Sequence, residues 1–444
     1  MNMNVVFIPL ARKTFSMPDA ESIFQKSCAM LENVMGNFSK PDELLTSPEM
    51  LSDYVDTIKE PDLVIYQSTT FIGSDFITEI TRRFQCPIVI WSVKEPSIDG
   101  GRLKLNSLTG AFSAGNSLYT QSRKFQFVLG NPDEAYVIRT FQKIFNSLQL
   151  IKKLRKMVIG MVGSQPAGFG FGSIGESQLA GKFGIKVVQT EASEIMRDAE
   201  TFKQEDLLPW MDELKGRSQG WEKFSDEHLE KYARLRKSYQ EFIDRTGVTV
   251  VASKCWPDFF TGFGAPVCSI LSVLNDNGIP ASCEADMGGV ISMFIGSELT
   301  GEPTYLGDPV AVDENCDGIV FWHCGAGATQ LARKKEGANL GVHPNRKIGP
   351  TMEFGLKEGE ITLLRLGVDT KGFRMFAMKA TALDEPQKFF GTSVTVQPEG
   401  GKSIEKVSQF VKDGWEPHFV IAYGDIMEEL QIICSYLDIP INVY

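Results

Sequence analysis

Through the first third of the chain, short runs of Val, Ile, Leu and Phe alternate with longer stretches whose apolar residues recur every three or four positions. "VVFIPLA" precedes the helical "AESIFQKSCAMLENVM", and "DLVIYQS" precedes a helix through "FITEITRRF". "PIVIWSV" and "FQFVLG" follow, then the long amphipathic "EAYVIRTFQKIFNSLQLIKKLRKM". Near-continuous apolar strands separated by helices of period 3.6 predict a mostly parallel sheet covered on both faces. A second alternation starts at "KMVIGMVG". It continues through "KVVQTE", a charged helical stretch from about Glu205 to Arg245, "VTVVASKCW", the helix "PVCSILSVLND", "PASCEA", the helix "VISMFIGSEL" and "GIVFWHC". From Ile348 the texture changes to short strands with turn residues between them, "TMEFGL", "EITLLRLGV", "FRMFAMKATAL" and "TSVTVQP". The last unit, "WEPHFVIAYGDIMEELQIICSYLDIPINVY", is strand–helix–strand.

The pattern predicts an α/β protein with two Rossmann-like parallel-sheet domains, residues 1–155 and 156–347, and a β-rich C-terminal domain, residues 348–444. A length of 444 residues agrees, at about 150 residues per domain. A hydrophobic share of 43% with 23% charged residues describes an ordinary globular chain. The net charge of −11 argues against nucleic acid or an anionic membrane as the main partner. No apolar run approaches the ~20 residues that span a bilayer. "MNMNVVFIPLAR" lacks a positive leader and is expected to be a first strand, not a signal peptide. Eight cysteines without a C-x-x-C pair point to buried reduced thiols rather than disulfides or a zinc site. A cytoplasmic enzyme of bacterial type fits these features.

Gly170-Phe-Gly172-Ser-Ile-Gly175 is formally G-x-G-x-x-G, but Ser164 to Gly168, including Pro166, separate it from the preceding strand. A dinucleotide fingerprint places its glycines at the strand-to-helix turn, so a glycine-rich loop bordering a cleft is the better reading. Of four histidines, His228 falls in a charged helix and reads as a solvated residue, and His343 falls in a polar loop and carries no chemistry either. His323 ends an apolar strand and His418 opens the last strand–helix unit. Glu284 arrives at the end of the strand "PASC", with Asp286 two residues on, and Asp308 follows a short strand before Pro309. A carboxylate at the end of a core strand is costly unless a cation pairs with it. The carboxyl ends of parallel strands line the ligand crevice, so Glu284, Asp308 and His323 are expected to converge there. Such an oxygen and imidazole set suits Mn²⁺ or Mg²⁺; a helix cap and a turn residue are the alternative for the two acids.

These segments resemble the L-fucose isomerase and L-arabinose isomerase superfamily of metal-dependent aldose–ketose isomerases, most clearly from "ASKCWPDFF" to the C-terminus. "ASCEADMGG" resembles the segment of the first metal carboxylate, "YLGD" that of the second, and "WEPHFVIAYGD" that of the metal histidine. The resemblance implies an L-fucose isomerase-like fold and an intramolecular oxidoreductase. It implies Glu284, Asp308 and His418 as ligands of Mn²⁺, with Co²⁺ or Mg²⁺ as substitutes. Glu284 and Asp308 would also be the acid–base pair that moves a proton between C2 and C1 through a cis-enediol. Lys254 and Trp256 fall where the family touches sugar. Arg12 resembles a substrate-contacting arginine, and His323 is a ligand or a substrate contact. A homo-oligomer, hexamer or smaller, is implied too. The chain is short for an L-fucose isomerase, and shorter relatives include isomerases that turn sulfoquinovose into sulfofructose. A sulfonated aldohexose is therefore the expected substrate, with L-fucose, D-arabinose or a similar sugar behind it. A sulfonate calls for cations, and Arg12, Lys13, Lys254 and Arg374 are available. The rivals are a nicotinamide-dependent oxidoreductase using Gly170–Gly175 and a non-catalytic sugar-binding protein.

Overall fold

The computed structural model describes residues 3–444; Met1 and Asn2 of the N-terminal stretch lie outside the described residues. The chain falls into two compact units, Met1–Gln149 and Leu150–Tyr444. In the first, Val5–Leu10, Leu63–Ser68, Ile88–Ser92 and Phe125–Leu129 form a parallel sheet in chain order. The expected helices appear as Met17–Met35, Ser74–Arg83 and Ala135–Leu154. The helix Ser107–Thr120 was not foreseen, because "SLTGAFSAGNSLYT" holds two glycines and no charge and so resembles a loop. Gly110 is needed there: a Cβ would lie 2.2 Å from Ser68 Oγ.

The second unit begins with another parallel sheet, in the order Lys186–Thr190, Val158–Val162, Val250–Ser253, Ala281–Cys283. The chain winds outward from Val158–Val162 to one side and then returns to the other, so the winding reverses between Val158–Val162 and Val250–Ser253. The carboxyl ends at such a reversal are where open α/β sheets receive ligands. The long charged helix is two helices, Leu208–Arg217 and Asp226–Thr246. The break contains Gly220 in the left-handed region (φ 77) and Ser225, whose side chain caps the second helix at His228 N–H.

The rest of this unit is a closed antiparallel barrel. Going round, its six strands are Thr392–Pro398, Gly318–His323, Tyr305–Asp313, Phe419–Tyr423, Gly359–Asp369 and Gly372–Ala382, which pairs back to Thr392–Pro398. Strands from both sides of residue 347 share it. Its interior is aromatic: Phe376 packs against Phe419 at 4.9 Å and Phe321 against Phe419 at 6.0 Å. An unforeseen helix, Ser403–Lys412, adds Phe410 to that cluster, 4.9 Å from Phe376.

Helix Met287–Thr300, apolar nearly all round, touches both the parallel sheet and the barrel and is buried over most of its length. Its close seat depends on Gly288, where a Cβ would lie 2.5 Å from Leu366 O and 3.1 Å from Arg365 Nη2. Gly288→Ala should therefore lower stability by about 1–3 kcal/mol, read as an earlier urea midpoint. An unchanged midpoint would mean that the helix is not seated this closely.

Candidate active site

The strand Ala281–Cys283 ends in an unusual elbow: Glu284 (φ 59) and Ala285 (φ 53) are both left-handed. For side chains other than glycine this costs on the order of 1–2 kcal/mol each, and such strain persists only where the surroundings fix it. They do: Ala285 N–H donates to Ser253 O (2.9 Å), Asp286 N–H to Cys283 O (3.2 Å) and Ser282 Oγ–H to Asp286 O (2.8 Å). The elbow brings Glu284 to the barrel's histidine and leaves Asp286 at the start of the next helix, where its Oδ1 accepts from Gly289 N–H at 2.9 Å.

From the barrel come three more side chains. His418, wholly buried, immediately precedes the strand Phe419–Tyr423, and His323 ends the strand Gly318–His323. Asp308 corrects an expectation. It lies inside the antiparallel strand Tyr305–Asp313, opposite Trp322, and not at the end of a strand in a parallel sheet. Its pairing with Trp322 on one side, and that of the preceding Gly307 with Phe419 on the other, hold it in place, not a crossover loop.

These groups meet. His418 Nε2 lies 3.0 Å from Glu284 Oε2 and 3.4 Å from Asp308 Oδ1. Nitrogen atoms of His418 and His323 and an oxygen of Glu284 all fall within 4.8 Å of one another. Yet the Nε2 atoms of both histidines are buried with no aligned hydrogen-bond partner. Orphaned polar atoms of this kind are rare in native interiors and call for an explanation.

The other ring nitrogens separate the two histidines. His418 Nδ1 is 2.8 Å from Asp286 Oδ2, a carboxylate that can only accept, so Nδ1 carries hydrogen and Nε2 is the nitrogen left for a ligand. His323 Nδ1 instead accepts the Cys324 backbone N–H at 3.0 Å. The Cys324 thiol and the nearby acids favour a charged His323 ring, and burial opposes it. The amide hydrogen pointing into Nδ1 decides for a neutral ring with its proton on Nε2. The first imidazole is an electron-pair donor at the cluster; the second is a hydrogen-bond donor.

Asp286 and Arg365 are the functional residues that sequence reasoning passed over. Arg365 Nη2 is 3.0 Å from Asp286 Oδ1, Nη1 binds Oδ2, and the side chains are 1% and 0% exposed. Burial works to raise the Asp286 carboxyl, but Arg365 and then His418 overcome it and hold the group well below the usual carboxylate range. Burial likewise opposes charge on His418, but Asp286 and Glu284 outweigh it and push the ring up to about 9. Burial raises Asp308, with a charged His418 opposing and the Glu284 charge adding to the rise. Without a cation, then, protons must offset the crowded acids. The donor chemistry fits a divalent ion: two carboxylates stand beside a deprotonatable imidazole nitrogen, and the donor atoms that lie mutually closest are those of Glu284, His323 and His418.

Trp256 Nε1–H donates to Glu284 Oε1 at 3.2 Å, so Trp256 joins the cluster. Lys254, two residues before it, is engaged by Asp258 at 2.6 Å. Arg12 belongs to the first unit, at the carboxyl end of that sheet, where its guanidinium lies over Phe71. Arg374 is drawn away to the carbonyls of Asp413 and Gly414 and stacks on Trp415 at 4.0 Å. The glycine-rich loop covers the cluster. Phe171 sits edge-on to His418 at 5.0 Å, Phe169 to Trp256 at 5.7 Å, and a Cβ on Gly172 would lie 3.1 Å from Asp286 Cα. Its glycines permit that approach, while the helix that follows starts only at Glu176. His343, expected in a polar loop, is buried against Phe260 at 4.8 Å.

Imidazoles and carboxylates converging under an aromatic cover at the carboxyl end of an α/β sheet define an enzyme, with an acid–base centre suited to moving a proton on a small polar ligand. No protein-family model matches the chain. Proteins named sulfoquinovose isomerase are 40% identical to it in Clostridium sp. (strain MSTE9), over 443 residues and 99% of each chain. The identity is 39% in Priestia aryabhattai, over 446 residues, 100% of this chain and 99% of the relative. In Alkalicoccus urumqiensis it is 38% over 442 residues, 99% of each. The chain belongs to the sulfoquinovose isomerase family.

Proposed function

We propose that this protein interconverts sulfoquinovose and its ketose, sulfofructose, on an L-fucose isomerase-like fold, with Glu284, Asp308 and His418 holding a divalent cation, manganese by preference and cobalt or magnesium as substitutes. The observation that carries the cation reading is His418 itself. Its Nδ1–H is fixed on Asp286 while its Nε2 faces two carboxylates and hydrogen-bonds to neither. When bound, the cation supplies Lewis acidity toward the sugar's oxygens. The chain's own groups do the rest. Glu284 and Asp308 are the carboxylates placed to take the proton from C2 of the open-chain aldose and return it at C1 of the cis-enediol. Trp256 N–H steadies Glu284. His323 Nε2–H is the donor for a sugar oxygen. Phe169 and Phe171 keep bulk water from the exchanging proton. Unpaired cysteines among the described residues suit a cytoplasmic location, and no helix among those residues is long and apolar enough to cross a membrane. The uncharged helix Ser107–Thr120 exposes Phe112 and Tyr119, a face suited to contact between copies in an oligomer of six or fewer.

The test separates the two histidines. After dialysis against chelator, conversion should be lost and should return with Mn²⁺. His418→Asn should purify without the ion. His323→Asn should keep it and still lose about a hundredfold in turnover. Metal content by elemental analysis, with thermal melting as a folding control, reads the difference. Full conversion by chelated protein, or a metal-free His323→Asn, would overturn the assignment.

A further inference from the structure

A sulfonate stays charged throughout the physiological pH range, so an enzyme for a sulfonated sugar must meet that charge some way from the carbons that react. Three cations of the second unit are already engaged. Lys254 is paired with Asp258, Arg365 with Asp286, and Arg374 with main-chain carbonyls and Glu416. Arg346 is different. Its guanidinium lies over the Trp256 ring, 5.5 Å from the centroid, and no ion pair engages it among the described residues.

Resting on the isomerase reading above, we propose that Arg346 is the residue that binds the substrate's sulfonate. The same indole whose face carries Arg346 donates its N–H to Glu284. One aromatic ring thus separates the acid that serves C1 and C2 from the free guanidinium, a spacing that a hexose can bridge. The Arg346 main chain is fixed from below. Buried His343 accepts the N–H groups of Asn345 (3.3 Å) and Arg346 (3.2 Å) on Nδ1, and its own backbone closes the turn with Ile348 and Lys347 at 2.9 Å each. The loop also borders a groove. Pro344 and Asn345 line an open groove of about 480 Å³ with Trp322, the cross-strand partner of Asp308. A planar guanidinium presents paired N–H donors to the oxygens of a sulfonate, and stacking on an indole limits the motion it would lose on binding.

The experiment compares sulfoquinovose with D-quinovose, the same sugar without the sulfonate, in wild type, Arg346→Ala and Arg346→Lys. It also measures equilibrium binding of the two unreactive alditols made by reducing them. Arg346→Ala should raise KM for sulfoquinovose, and weaken binding of its alditol, by about tenfold to a hundredfold. The kcat should change little, and binding of the neutral alditol should not change. Arg346→Lys should recover part of the loss. Equal weakening of both alditols would show a structural role, and unchanged binding of the sulfonated one would show no role; either overturns the proposal. If wild type itself fails to convert sulfoquinovose, the isomerase reading fails, and this proposal with it.

Discussion

Glu284→Gln should lower kcat for the sugar by between about a hundredfold and ten-thousandfold, the range that a positioned acid–base group supplies. Glutamine keeps the length of the side chain and an oxygen for the Trp256 N–H, so the elbow and the fold should survive. What it removes is the negative charge and the ability to take a proton. Metal affinity should fall as well, because one of the three proposed ligands becomes neutral. Turnover measured at saturating manganese separates the two effects: a rate restored by excess ion would make Glu284 a ligand only. Wild-type turnover with the ion tightly held would end its assignment altogether.

Asp286→Ala should cost about 3–5 kcal/mol of stability, the usual result of stranding one member of a buried ion pair. Arg365 would be left 1% exposed with its charge unmatched, the helix from Met287 would lose its cap, and His418 would lose the acceptor that fixes its tautomer. Metal affinity should drop about ten- to a hundredfold for that last reason. The pH dependence follows from the depressed carboxyl of Asp286. Its contribution is complete above the unfolded value of about 3.9 and disappears as pH falls through the lower folded value. Wild type and variant should therefore differ most near neutrality and converge in strong acid. Urea midpoints across that range provide the measurement. A second variant, Asp286→Ala with Arg365→Met, should regain part of the stability but none of the metal affinity. If Asp286→Ala alone matches wild type at neutral pH, the buried pair is not holding this corner.

Much of the layout was legible because apolar runs at strand spacing and helical spacing are local signals. Ala281–Cys283 and Met287–Thr300 fall where "PASC" and "VISMFIGSEL" place them, and a carboxylate just after such a strand announces itself by its desolvation cost. Closure of the barrel was not legible. Buried on both faces, Gly318–His323 has the same apolar texture whether its neighbours run parallel or antiparallel, and its partner Thr392–Pro398 lies far along the chain. Asp286 was in view, in the same segment as Glu284, but an acid before a helix looks like a cap. It is one; its second role depends on Arg365, 79 residues on, inside the apolar strand "LLRLG". A charged residue at a buried strand position was the signal that could have found it. His343 is structural, as expected of its loop, but its burial was not legible for a related reason. Its polar neighbours describe the loop's exterior, and only tertiary packing shows that this one side chain turns inward.

The cluster draws on two architectures, with Glu284 hinged at the rim of a parallel sheet and Asp308 and His418 set in a closed barrel. Neither layer owns a complete set of donors. A cation held as proposed would register only molecules in which both layers have come together, and in return would clamp them. A chain halted before His418 would carry both acids without the imidazole that stands between them.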